Sequence, residues 1–292
     1  MLRIEVLIDG QASLGEGPLW DVQEQRLYWL DSLGKKIHRC DASGATQQSW
    51  DVPEHIGSMA LRQDGGAILS LRDGFYTFDF ASAAAEHIVD PDPGQPRIRM
   101  NDGKVDRQGR FLAGYMDYEE REPLCSLFRL DADHSVHTLE QDIICSNGPC
   151  FSLDGGTLYF ADSFQRTIYA YDYDTRSGAI SNKRAFANFD TLGLNGFPDG
   201  ATVDADDHVW TVEVFRGRLV RLAPDSSIDR CVGLPVENTT SITFGGADLD
   251  IAYVTSMARP INGVYPRERE AGAVFAVHGL GVRGVPEPRF AG

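Results

Sequence analysis

Side chains that carry oxygen recur in one register along this chain of 292 residues. Asp199, for example, is followed four residues later by apolar Val203 and five residues later by polar Asp204. The same spacing marks six positions, called head residues below: Glu16, Gly57, Asn101, Asn147, Asp199 and Asn238. Asn, Asp and Gly favour turns, so any one of them alone predicts only a strand entrance. Five of the six carry a carboxylate or an amide oxygen, and carboxylates brought together repel unless a cation or a proton separates them. The register therefore favours a hard-cation site.

The head residues recur roughly every 40 to 50 residues, which is the length of one structural repeat. After each head the sequence is typical of β-strands, and glycine-rich turns such as residues 64–66 and 154–156 separate the first two strands. Two further strands are predicted in each unit, and no long amphipathic helical pattern occurs. Four short antiparallel strands repeated six times predict an all-β fold, a six-bladed β-propeller.

The two ends of the chain predict how the ring closes. The sixth unit ends after three predicted strands, whereas residues 4–8 form a strand pattern before the first unit. An unpaired strand edge is a liability that closed folds remove. We therefore expect the N-terminal strand to complete the last blade, so that residues 1–292 form a single domain.

Composition narrows the function classes. The net charge of −16 argues against a nucleic-acid partner and against an anionic membrane surface. No apolar run of the roughly 18 residues needed for a membrane span occurs, and residues 1–6 lack a signal-peptide pattern, so the expected location is cytoplasmic. The five cysteines are scattered without a C-x-x-C pair, which predicts reduced thiols rather than disulfides or a zinc site. The absence of H-E-x-x-H and G-x-S-x-G motifs disfavours zinc-peptidase and hydrolase-triad functions.

One arginine stands close to a head residue. Arg99 precedes Asn101 by two positions, and strand alternation could point both side chains the same way. A guanidinium near an acidic mouth suits the hydroxyls or carboxylate of a substrate. Residues 117–123 and 258–271 are longer than blade connections need, which is typical of functional lids or of mobile surface.

Five segments, in chain order, are similar to the signature segments of the SMP-30/gluconolactonase/LRE family of regucalcin-like sugar lactonases. They are residues 15–20 (GEGPLW), 99–106 (RMNDGKVD), 146–149 (SNGP), 197–200 (FPDG) and 239–246 (TTSITFGG). The resemblance covers essentially the whole chain. It implies a six-bladed propeller with one catalytic divalent cation in its channel.

The resemblance also implies residue roles. By motif, the metal ligands fall on Glu16, Asn147 and Asp199, and the substrate-binding arginine and asparagine fall on Arg99 and Asn101. An acidic substrate-binding residue in the next loop corresponds to Glu119, within a loop that offers several acids. Oxygen ligands of this kind accept Ca²⁺, Mg²⁺ or Mn²⁺, and Zn²⁺ and Fe²⁺ also bind them.

The expected reaction is hydrolysis of a small-molecule sugar lactone to the aldonic acid. Asp199 is the expected general base for the attacking water, while the bound cation polarises the lactone carbonyl. Two alternatives stay open: a metal-dependent esterase or phosphotriesterase-like hydrolase, and a non-catalytic calcium-binding propeller scaffold. The sequence leaves the particular lactone, the metal and the oligomeric state open.

Overall fold

The computed structural model describes residues 1–292 and is built almost entirely of β-strands. Six four-stranded antiparallel sheets account for all of the strands, and the only helical segment is a 3-10 turn at Ser163–Gln165. The chain is therefore a six-bladed β-propeller, as its sequence predicts. No helical segment is long and apolar enough to cross a membrane.

The chain divides into two compact units, residues 1–49 with 189–287 and residues 50–188 with 288–292. Blades one, five and six lie in the first unit, except for Trp50 and Asp51 at the end of β5. Blade one consists of β2 (Gly15–Asp21), β3 (Arg26–Asp31), β4 (Lys36–Asp41) and β5 (Gln48–Asp51). Blade five consists of β18 (Phe197–Val203), β19 (Val209–Val214), β20 (Arg218–Leu222) and β21 (Ile228–Gly233). Blade six consists of β22 (Thr239–Gly245), β23 (Ile251–Ser256), β24 (Val274–His278) and β1 (Arg3–Ile8).

The second unit contains blades two, three and four. Blade two consists of β6 (Ile56–Leu61), β7 (Ala67–Leu71), β8 (Gly74–Asp79) and β9 (Ala84–Val89). Blade three consists of β10 (Ile98–Val105), β11 (Phe111–Asp117), β12 (Cys125–Leu130) and β13 (Val136–Ile143). Blade four consists of β14 (Ser146–Phe151), β15 (Thr157–Asp162), β16 (Thr167–Tyr173) and β17 (Ile180–Asn188).

The N-terminal strand completes blade six. β1 pairs antiparallel with β24, with Ile4 opposite Val277 and Val6 opposite Phe275. Ile4 also packs against the apolar core of the same unit. This pairing confirms the expectation that the first strand of the chain supplies the outer strand of the last blade.

Each unit has an apolar core built between its blades. In the second unit, Phe75 and Phe111 are fully buried and meet edge to face with ring centroids 5.9 Å apart. In the first unit, Trp210 and Phe244 make the same kind of contact at 5.8 Å. Truncating one such buried ring to Ala costs roughly 3–5 kcal/mol, so these contacts hold neighbouring blades together within each unit.

The innermost strands (β2, β6, β10, β14, β18 and β22) share a β-bulge near the head residue. The ladder shifts by one residue between Glu16 and Leu19 in β2, and between Asn147 and Cys150 in β14. A bulge re-aims the side chains beside it, and bulges are common next to active sites. The corresponding shifts elsewhere are Ile56/Ser58, Met100/Gly103, Pro198/Ala201 and Thr239/Ser241.

In blade six the head residue is Thr240 and not Asn238, the residue predicted from the sequence. Thr240 is the extra residue of that bulge, and it precedes Phe244 by the spacing that separates Glu16 from Trp20. Asn238 lies before β22 begins. Sequence alternation selected Asn238 because side chains repeat every two residues in a strand, so positions two apart give the same pattern.

Candidate metal and substrate site

Asn147 has the most completely defined side chain among the predicted site residues. It lies near the start of β14 and is 5% exposed. Its Nδ2 donates to Ser163 Oγ at 2.8 Å, and its Oδ1 accepts from Asn101 Nδ2 at 2.8 Å. These partners fix the amide orientation. An amide oxygen accepts two hydrogen bonds or ligands, so Oδ1 keeps one position for a cation.

Asn101 is the partner that orients Asn147. It lies in the bulge of β10, is 8% exposed, and donates from Nδ2 to Ser146 O at 2.9 Å as well as to Asn147. Both amide hydrogens are therefore used within the protein. Only its Oδ1 is left for a ligand, so Asn101 can accept a hydrogen bond from a substrate but cannot donate one.

Asp102, the residue after Asn101, also supports Asn147. Its carboxylate accepts the backbone N–H of Gly148 at 2.9 Å and that of Gly103 at 2.8 Å. Gly148 directly follows Asn147 and has a φ of 53°, a conformation that favours glycine. Asp102 therefore holds the bulge on which Asn147 sits. Asp102 lies in the segment 99–106, but its supporting role depends on a contact with blade four that the local sequence does not encode.

Arg99 lies on the same strand as Asn101. It is 5% exposed, stands opposite Met116 in β11, and donates from Nη1 to the Met100 carbonyl at 3.0 Å. The bulge begins at Met100 and interrupts the alternation of β10. The common orientation of Arg99 and Asn101 that alternation suggested is therefore not set by the ladder.

The loop after β11 carries Glu119. Its side chain is 58% exposed, and Oε2 lies 3.4 Å from Arg97 Nη2. Arg97 also forms a two-pronged pair with Asp117, from Nε to Oδ1 and from Nη2 to Oδ2, both at 2.8 Å. Arg97 directly precedes β10, so its contact with Glu119 links the loop to the start of that strand.

Asp117 is fully buried and saturated by donors. Besides Arg97, its carboxylate accepts the backbone N–H groups of Glu119 at 3.1 Å and of Arg121 and Glu122 at 3.0 Å. Burial alone would raise the pKa of Asp117, but Arg97 and these N–H groups hold that pKa well below its ordinary value. Asp117 is therefore a structural anion of the loop and is not available as a general base.

Glu16 and Asp199 lie in the first unit, on the innermost strands of blades one and five. Glu16 stands opposite Leu30 and is 9% exposed, and Gly17 after it has a φ of 49°. Asp199 is partly exposed within the bulge of β18. Gly200 must be glycine, because a Cβ there would lie 2.0 Å from Ser241 Oγ.

Some of the site residues predicted from the sequence lie close together in the structure. Asn101 and Asn147 are in direct contact, and Glu119 contacts the residue two positions before Arg99. No three His, Cys, Asp or Glu side chains cluster so as to hold a metal ion by themselves. The oriented Oδ1 of Asn147 is an amide oxygen, a ligand type that hard cations accept.

Comparison with known proteins gives consistent matches along the whole chain. The family model described as SMP-30/Gluconolactonase/LRE-like region matches residues 14–258. Regucalcin of Xenopus laevis is 36% identical over 298 residues, covering 100% of this chain and 99% of the relative. A 6-deoxy-6-sulfogluconolactonase of Pseudomonas putida is 36% identical over 282 residues, covering 96% of this chain and 95% of the relative.

Two solved structures are similar in both fold and sequence. A luciferin-regenerating enzyme superimposes with a TM-score of 0.94 at 29% identity, covering 100% of both chains. Regucalcin from Agrobacterium tumefaciens, described as a calcium-binding protein, gives a TM-score of 0.90 at 25% identity, covering 98% of this chain and 96% of the other.

Proposed function

The chain belongs to the SMP-30/gluconolactonase/LRE-like family, and on that premise we propose that it hydrolyses a sugar lactone to the aldonic acid with a divalent cation bound. The observation that carries the proposal is the contact between the Asn101 and Asn147 amides. Asn101 has both amide hydrogens committed, and Asn147 donates to Ser163 Oγ and Cys145 Sγ, so only oxygen lone pairs are left on the two amides for a ligand role. These are the two positions to which the family resemblance gives substrate and metal binding.

The proposed metal ligands are Glu16, Asn147 and Asp199. All three present oxygen, which fits Ca²⁺, Mg²⁺ or Mn²⁺, while Zn²⁺ and Fe²⁺ also bind such sets. The calcium-binding regucalcin of A. tumefaciens supports a divalent cation in this family. When bound, such a cation polarises the lactone carbonyl and stabilises the negative charge that develops on its oxygen.

Hydrogen-bonding capacity argues for a polyhydroxylated substrate. Asn101 can only accept, and the oxygens of Glu119 are acceptors, so both suit O–H donors on the substrate. Arg99 can only donate and suits a hydroxyl or ring oxygen. A sugar lactone carries both donors and acceptors, whereas a phosphotriester carries no donor for Asn101 or Glu119.

Asp199 is the proposed general base. Its partly exposed position lets water reach the carboxylate, and general-base catalysis by a positioned carboxylate contributes roughly 10²- to 10⁴-fold to the rate. The proton taken from water then passes to the ring oxygen that leaves as the aldonic acid's hydroxyl. Asp117, which donors saturate, does not compete for this role.

The experiment compares substrate classes on one preparation. A panel of aldonolactones, uncharged aryl esters and phosphotriesters is assayed with each divalent cation, and spontaneous hydrolysis is subtracted. We expect kcat/KM to be highest for an aldonolactone. A preference for phosphotriesters would favour the esterase alternative, and metal binding without any turnover would favour the calcium-binding scaffold.

The remaining features stay predictions from the sequence. They are the cytoplasmic location, the absence of nucleic-acid and membrane partners, and the single domain spanning residues 1–292.

A further inference from the structure

An acidic residue near the end of the second strand of blade one binds the segment that leads into β2. Asp31 ends β3, and its Oδ2 and Oδ1 accept the backbone N–H groups of Ser13 and Leu14, both at 3.1 Å. Leu14 precedes Glu16 by two residues. The carboxylate therefore fixes the backbone just before one proposed metal ligand.

Blade four repeats this arrangement atom for atom. Asp162 ends β15, is 3% exposed, and accepts the N–H of Ile144 on Oδ2 and that of Cys145 on Oδ1, both at 3.1 Å. Cys145 precedes Asn147 by two residues. The second proposed metal ligand is thus approached through the same two-point contact.

Blade five uses a longer acid for the same purpose. Glu213, next to last in β19 and fully buried, accepts the N–H groups of Asn195 and Gly196 at 2.8 and 2.7 Å. Arg218 Nε donates to its other oxygen at 2.7 Å. Gly196 precedes the proposed ligand Asp199 by three residues, one more than in the other blades, so the longer acid reaches one residue further back.

The other three blades lack this contact. The second strand ends at Leu71 in blade two and at Ser256 in blade six, neither of which is an acid. In blade three the acid at this place, Asp117, turns instead to Arg97 and to the N–H groups of its own loop. If the contact served only to build a propeller blade, all six blades would need it.

We propose that Asp31, Asp162 and Glu213, called the strand-end acids, are positioning residues that set the backbone of the three metal ligands. The inference rests on the proposed function, since it takes Glu16, Asn147 and Asp199 as the ligands. Each acid acts on its ligand strand through two consecutive backbone N–H groups, and Asp31 also accepts the N–H of Gly34 in its own loop. In this proposal the acids touch neither substrate nor cation. Charge-assisted hydrogen bonds of this kind are short and directional, and partners outside the ligand shell orient the ligands.

The test measures cation affinity directly. Asp162→Asn and Glu213→Gln keep the size of the side chain, but the amide nitrogen cannot accept an N–H. We expect the Kd for Ca²⁺ or Mn²⁺, measured by calorimetric titration of the metal-free protein, to rise by roughly 10- to 100-fold.

A matched control separates positioning from stability. Asp204 is fully buried in the same blade as Glu213, at the far end of β18, and accepts from Arg221 and Trp210. Asp204→Asn should lower Tm about as much as Glu213→Gln but leave the Kd unchanged. If both variants raise the Kd equally, the acids only stabilise the fold and the proposal is wrong.

Two further measurements keep the outcome readable. Should Glu213→Gln fail to fold, Arg218→Gln loosens the same acid from a partly exposed position, and Asp31→Asn tests blade one. The parent and Glu16→Gln are titrated alongside. A parent that binds no divalent cation contradicts the proposed function itself, whereas an unchanged Kd in every strand-end variant, beside a weakened Glu16→Gln, contradicts only this inference.

Discussion

At the scale of single residues, the amide of Asn147 depends on groups that are not ligands themselves. Ser163 Oγ accepts a hydrogen bond from Asn147 Nδ2, and Asn101 Nδ2 donates a hydrogen bond to Asn147 Oδ1. Without Ser163 the amide could rotate and present its –NH₂ group, whose hydrogens carry partial positive charge and repel a cation. The orientation of this amide is therefore as important as its presence.

Ser163→Ala tests that dependence. The change removes the oxygen acceptor of Asn147 Nδ2 and leaves only the weak contact with Cys145 Sγ at 3.6 Å, so we expect cation affinity to fall by roughly 10-fold with little loss of stability. Titration with Ca²⁺ or Mn²⁺ measures it. Ser152→Ala is the control, because Ser152 supports the far hairpin of blade four through Asp154 and Thr157. Equal affinities in the two variants would show that Ser163 does not orient the amide.

Asp199→Asn tests the general base. The amide keeps an oxygen for the cation but cannot accept a proton, so kcat for the preferred aldonolactone should fall by roughly 10²- to 10⁴-fold. The assay is run at saturating cation, after the Kd of the variant is known. Turnover equal to the parent would place the base elsewhere, among the acids after Asp117.

The sequence predicted the proposed ligands Glu16, Asn147 and Asp199, because all three stand in the repeat register. It did not predict the strand-end acids, because each follows its ligand by roughly fifteen residues, across a hairpin. Their signal is the recurrence of that interval after Glu16, Asn147 and Asp199. The contact itself depends on the pairing of two strands, which no local pattern encodes.

At the scale of elements, the loop after β11 is shaped by one buried carboxylate. Asp117 gathers the N–H groups of Glu119, Arg121 and Glu122, and Arg97 ties both Asp117 and Glu119 to the start of β10. Tyr118 Oη lies 3.2 Å from His55 Nδ1 and holds the loop from its other side. The loop therefore presents Glu119 at a fixed place relative to the strand that carries Arg99 and Asn101.

Arg97→Gln is expected to weaken substrate binding. Losing the guanidinium frees Glu119 and leaves Asp117 with only its backbone N–H partners, so KM for the aldonolactone should rise by roughly 10-fold while kcat changes little. Glu119→Gln should have a similar effect, and the double variant should lose little more than either single variant, because the two act as a unit. Additive losses would show that Arg97 does not act through Glu119.

The second long loop has a defined tip. Ile261 and Val264 bridge across Asn262-Gly263, and Val264 and Tyr265 are about 70% exposed. Ile261 packs against the same buried cluster (Leu14, Val214 and Met257) as Phe197, which lies two residues before Asp199. The length of this segment was predictable, and its interpretation as a functional lid or as mobile surface stays a prediction.

At the scale of the whole molecule, the last blade is completed by the first strand of the chain. β1 pairs along β24, and without it that strand would be an unprotected edge. The repeat register predicted this pairing, because only the sixth unit lacked a fourth strand and only the strand at residues 4–8 belonged to no unit. The same repeat could not place the sixth head residue, because alternation cannot distinguish Asn238 from Thr240.

Deleting residues 1–10 should therefore lower Tm by at least about 10 °C, because several kcal/mol of strand pairing and burial are lost. Calorimetry measures it, with deletion of residues 1–2, which precede β1, as the control. An unchanged Tm in the longer deletion would contradict the closure.

The parent should unfold in one transition if residues 1–292 form a single domain, and two separate transitions would contradict that prediction.

The central claim is a cation-dependent sugar lactonase, and titrating the metal-free protein with a divalent cation while following aldonolactone hydrolysis tests it most directly. The account predicts that hydrolysis rises in step with occupancy, reaches its maximum at a single ion per chain, and is lost again with a chelator. Hydrolysis at full rate before any cation is added, or saturation with cation without hydrolysis above the spontaneous rate, would contradict it.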